Sequence, residues 1–191
     1  MSNKIKIPLQ SLSAESIKDL QEKYPEAVVS LELHQDRNKT SLTENRFWEI
    51  IALLDWSKEG DDDAVVEPAV TYLASVPVRQ IYEFADLLSE KLYLLDGMTF
   101  AKQIGEGSWF SGRYFSVDNF LYARCCVVAN GKEMFEKVLL DPSTMPKDIT
   151  FEGLLYIPSA AYVRKTGKKY DYTPAYPIET YSNEEAWEEV D

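Results

Sequence analysis

Little in this chain of 191 residues suggests metal or thiol chemistry. It has one histidine, His34, and two cysteines, Cys125 and Cys126, which are neighbours. Adjacent cysteines do not readily reach disulfide geometry with each other. No third cysteine is available, so the expected setting is reducing and cytoplasmic. On a helix the two thiols point about 100° apart, and free cysteine is among the most buried residue types; both facts favour core positions over a metal site. No run approaches the roughly 18 apolar residues of a spanning helix. The first ten residues are polar and mixed, without the apolar stretch of a secretion signal. Bases are scarce as well: 20 Lys and Arg stand against 32 Asp and Glu, a net charge of −12. Such a surface repels nucleic acid and anionic membranes and favours a basic protein partner. The charge is uneven, with residues 1–40 neutral, 41–167 at −7 and 168–191 at −5.

What the chain does have is apolar periodicity. Residues 4–7 and 27–33 alternate polar and apolar, and Ser13 precedes a helical stretch over 14–23, so 1–40 reads as a strand–helix–strand cap. From residue 43 the period becomes helical. Thr43 caps a helix with Phe47, Ile50, Ile51 and Leu54 on its inner face. Asp61, Asp62 and Asp63 precede a second helix, where acids complement the helix dipole. Ser75 and Pro77 open a third, with Ile81, Phe84, Leu88, Leu92 and Leu95 as its stripe, closed by Asp96 and Gly97. A short helix follows over 98–104, then a glycine-bearing loop over 105–115. Ser116 caps a helix over 117–129, a further helix spans 133–140, and a last one spans 151–164 with Pro158 as an irregularity. Residues 168–191 carry four tyrosines and seven acids and read as an extended tail. The predicted fold class is α+β, mainly α: a multi-helix body over 43–167, the small N-terminal cap over 1–40, and the acidic tail.

The segments Phe-Trp-Glu-Ile-Ile at 47–51, Phe-Ser-Val-Asp-Asn-Phe at 115–120, Asn-Gly-Lys-Glu-Met-Phe at 130–135, Asp-Pro at 141–142 and Phe-Glu-Gly-Leu-Leu-Tyr at 151–156 occur in an order and spacing that resembles a bacterial domain-of-unknown-function family, number 4240. The resemblance covers roughly residues 43–167. It implies a mostly helical, cytosolic bacterial domain and brings no activity and no catalytic residue. One departure is the aromatic, arginine-bearing stretch at 109–114.

Familiar catalytic arrangements are missing. The acids at 61–63 lack the alternation and the glycine of a calcium loop, and Gly105 and Gly107 lack the third glycine of a dinucleotide fingerprint. No nucleophile elbow accompanies His34. The residual candidates cluster at the 105–124 loop–helix junction: Glu106, Trp109, Arg113, Tyr114, Asp118 and Arg124. Trp, Tyr and Arg are enriched at binding hot spots. Arg124 shares a stripe with Phe120, Leu121 and Val128, which predicts a part-buried arginine with a carboxylate partner. No metal or cofactor is called for. The reading that follows is an acidic protein-binding module with a basic partner, for example a toxin to be neutralised. The alternatives are a small-ligand enzyme with a cleft near 105–124, and a homo-oligomeric structural module.

Overall fold

The computed structural model describes residues 18, 21–24, 41–110 and 112–188. The chain divides into two compact units, residues 1–36 and 37–191. In the first, Lys18, Gln21, Glu22 and Lys23 are helical. The expected strands at 4–7 and 27–33, and His34, lie outside the described residues.

The α+β class with its strand–helix–strand cap is corrected to an all-helical one: every described element is a helix, and no strand or sheet occurs among the described residues. Alternation over four to seven residues is a short signal, and an isolated pair of strands is marginal in water without a third strand or a packed helix. The mainly helical body holds.

In the second unit, α1 (Glu44–Ile51) starts where the Thr43 side chain accepts from Arg46 N at 3.2 Å. It buries Phe47, Trp48, Ile50 and Ile51. The helix ends three residues before Leu54, which reaches the core from the following turn. Helix α2 (Asp62–Ser75) is capped by Asp61, which accepts from Ala64 N at 3.0 Å, with Asp62 and Asp63 in its first turn. Helix α3 (Val78–Leu94) begins at Pro77 with no side-chain cap. Ser75, expected to open α3, instead closes α2 by donating to Tyr72 O at 2.6 Å. The four-residue α4 (Met98–Ala101) leads into the 105–115 loop.

Helix α5 (Val117–Ala129) is capped by Ser116, which accepts from Asn119 N at 3.2 Å. It is the central helix, buried nearly all round from Ala123 to Ala129. Helix α6 (Lys132–Leu140) follows the Asn130–Gly131 turn. The single helix expected over 151–164 is divided into a 3-10 segment (Glu152–Tyr156) and α7 (Ile157–Thr166). The division falls where Pro158 enters the first turn of α7, the place where a missing N–H costs nothing. Gly167, at φ 67°, closes α7 in the left-handed conformation. A last short helix, α8 (Glu184–Trp187), lies in the tail.

Helix α2 runs along α7, α3 packs on α7 and α5, and α5 packs on α6 and on the 3-10 segment. Phe47 meets Phe84 with ring centroids 5.0 Å apart, and Trp48 meets Phe135 at 5.4 Å. Each such fully buried apolar side chain contributes roughly 1.5–3 kcal/mol. Lys91 is buried among them and reaches Glu44 Oε1 at 2.9 Å, which ties α3 to α1.

Candidate functional site

The loop candidates do not gather in one place. Gly105, at φ 95°, turns the chain out of α4, and a side chain there would collide with Asp148. Asp148 Oδ1 receives Glu106 N at 2.7 Å, and Asp148 N donates to Ile104 O at 2.9 Å, which fixes the loop's start. Trp109 is half-buried on the core; its backbone N–H donates to Ala101 O at 2.9 Å and Lys102 Nζ lies 5.2 Å from its ring centroid. Beyond it an open hollow of about 440 Å³ is lined by Glu106, Ser108, Phe110, Arg113, Tyr114 and Asn119, among others. Arg113 lies 5.7 Å from the Phe110 ring centroid, and Tyr114 is 92% exposed. Asp118 and Arg124 do not line this hollow. Asp118 is exposed in the first turn of α5. The hollow near 105–124 therefore does not unite Arg113 with Asp118 and Arg124.

Arg124 is fully buried. Its guanidinium lies 4.9 Å from the Phe120 ring centroid, and its Nη atoms donate to Leu92 O (2.9 Å), Ile178 O (3.0 Å) and Thr180 Oγ1 (3.1 Å). The nearest carboxylate is Asp96, also fully buried, at 3.9 Å. Burial pushes the guanidinium below the usual arginine value, and the Asp96 charge opposes that shift. Asp96 is spent mainly on the tail, accepting from Tyr181 N, Asn183 N and Trp187 Nε1 at 3.3, 3.1 and 3.0 Å. Sequence reasoning missed Asp96, because Asp before Gly also reads as an ordinary helix end. The available signal was its apolar surroundings, Leu94, Leu95 and Met98.

A third cluster joins α2, α5 and the 3-10 segment. Tyr156 donates its hydroxyl to Glu152 Oε1, and this bond pushes its pKa up to about 12. Glu152 raises the Tyr122 hydroxyl in the same way, with Asp118 adding to it. The charge of Asp63 reaches Tyr156, and Asp62 packs beside Gly153. Four carboxylates and two tyrosine hydroxyls thus share one region, none of it predicted as a unit.

Cys125 and Cys126 are buried, as expected of small core residues. Burial pushes the Cys125 thiol up to about 12 and raises that of Cys126. Among the described residues no group of three or more His, Cys, Asp or Glu side chains could hold a metal ion. Among them, too, no helix is long and apolar enough to cross a membrane.

No curated protein and no solved structure matches the chain. Residues 42–164, which contain the loop, Asp96, Arg124 and the Glu152 cluster, match the family described as "Protein of unknown function (DUF4240)", and the chain belongs to that family.

Proposed function

We propose that the helical body is a protein-binding module that takes a basic protein partner, the class that includes a cationic toxin to be neutralised. The observation that carries this reading is the Glu152 cluster. Asp62, Asp63 and Asp118 are exposed at helix N-termini around Glu152, and the two tyrosine hydroxyls are held protonated beside them. Tyrosine supplies contact area at low entropic cost, and carboxylates set around it pair with Lys or Arg of a partner. The net charge of −12 adds long-range attraction for the same class. Glu106, Arg113, Tyr114 and Trp109, on the neighbouring loop, belong to the rim of this surface in the proposal.

Capture from host lysate at low salt provides the partner for the test, and stopped-flow association then measures the rate. The triple variant Asp63→Asn, Asp118→Asn, Glu152→Gln should slow association roughly tenfold or more, with the salt dependence largely lost. A control triple of the same charge change, Glu133→Gln, Glu136→Gln, Glu184→Gln, should leave the rate nearly unchanged. Equal slowing by both triples, or no basic protein captured at low salt, overturns the reading.

A further inference from the structure

The C-terminal tail lies on the body as a bound peptide lies in a groove. The Asp86 carboxylate accepts from Tyr172 Oη (3.0 and 2.9 Å) and from Ala175 N (2.8 Å). Ser89 Oγ accepts from Tyr176 N at 3.3 Å. Arg124 takes Ile178 O, and Asp96 takes Tyr181 N and Asn183 N. Four side chains of α3, α5 and the α3–α4 turn therefore hold five main-chain groups of one segment. Aromatic stations set its register. Tyr172 stacks on Tyr82 with centroids 4.2 Å apart and planes within 12°, and Trp187 meets Phe120 edge-on at 5.8 Å. Gly97 leaves room for the far end: a Cβ there would stand 2.9 Å from Ala186 Cβ.

We infer that this groove is a peptide-binding site, and that its occupant in trans is residues 170–188 of a second copy of this chain. This goes beyond the proposed basic partner and uses a different surface. Three observations lead to it. The bonds between groove and tail involve no part of the tail's covalent connection, so each is reproduced when the tail comes from another copy, and exchange costs chiefly the entropy of association. Asp96 and Arg124 are fully buried with the tail in place, so a vacated groove exposes a charge pair that a second tail re-covers. The connection is short and exposed, with Gly167 ending α7 and Lys168 and Lys169 in solvent, which is the kind of hinge that exchange uses.

The test uses the intact chain and a fluorescent synthetic peptide of residues 170–188. The peptide should bind saturably, one per chain. Asn183→Ala in the chain removes the bond from Asn183 Nδ2 to Tyr93 O (3.2 Å), loosens the resident tail, and should tighten peptide binding roughly fivefold. The same substitution in the peptide should weaken binding by about as much. At high concentration the chain should give a dimer mass by light scattering, and excess peptide should dissolve that dimer. Trp187→Ala in the chain is the second variant, which loosens the tail further. No peptide binding by the parent chain or by either variant overturns the inference. So does weaker binding on loosening the resident tail, a constant monomer mass at every concentration, or a dimer that peptide does not dissolve.

Discussion

Replacing Arg124 with methionine removes the buried guanidinium with little change in side-chain volume, and its cost follows from the structure. The nearest Nη and Asp96 Oδ1 stand 3.9 Å apart with both side chains fully buried. At that separation two unit charges attract by about 4 kcal/mol at an effective dielectric of ~20. Two carbonyls, Leu92 O and Ile178 O, also lose their donor, at about 1–3 kcal/mol each where they stay buried. Methionine recovers part of this by packing on Phe120. The net expectation is a loss of about 3–5 kcal/mol, as for other buried pairs broken on one side. For a chain of this size that lowers Tm by roughly 6–20 °C. Thermal and urea unfolding followed by tryptophan fluorescence and by far-ultraviolet circular dichroism measures it. The fluorescence of Trp187 should fall away before the helical signal does, because the tail is what the pair holds. Asp96→Leu and the double variant complete a cycle in which the losses are not additive, with a coupling of at least about 1 kcal/mol. A loss under about 1 kcal/mol for Arg124→Met, or additive losses, refutes the view that this pair fastens the tail.

Two further outcomes follow from the titrating groups. The thiols of Cys125 and Cys126 should resist aromatic disulfide reagents in the native protein and react, two per chain, only in denaturant, because burial raises both pKa values and the thiolate is the nucleophile; rapid reaction of either thiol in the native chain contradicts their placement. Glu67 is held down to about 2 by its hydrogen bonds with Arg164 (2.6 and 2.8 Å) and then by Thr71. A depressed carboxylate stabilises the fold above its ordinary value near 4.5 and loses that contribution as pH falls toward about 2. Because the pair is about half exposed, the contribution is small and salt-sensitive. Urea unfolding between pH 5 and 2 should therefore show a shallower decline for Glu67→Gln than for the parent, and identical slopes would show that the α2–α7 tie is not felt.

The periodicity of apolar residues after position 43 determined the body: where side chains recur every three or four positions, burial of one face makes a helix irrespective of what it packs on. Thr43 and Ser116 as caps, and the acids at 61–63 as a helix start, were equally legible, because capping is a local interaction. The same locality explains the corrections. Ser75 can close a helix as readily as open one, and Pro158 divides a helical stretch only when the chain before it finds a tighter turn. Partial burial of Arg124 was legible from its stripe, and the structure buries it completely; its partners were not predictable, because Asp96 lies 28 residues away and Ile178 lies 54 away. Likewise Glu106, Arg113 and Tyr114 share a hollow as neighbours in sequence would, whereas Arg124 faces the other side of α5 toward the tail. Only tertiary packing decided that Glu152, Asp118 and Asp63 meet around two tyrosines, and that four side chains of the body hold the backbone of the tail. Sequence order sets which groups are adjacent along one element; which elements come together is set by the burial of their apolar faces, and the polar groups carried on them meet as a consequence.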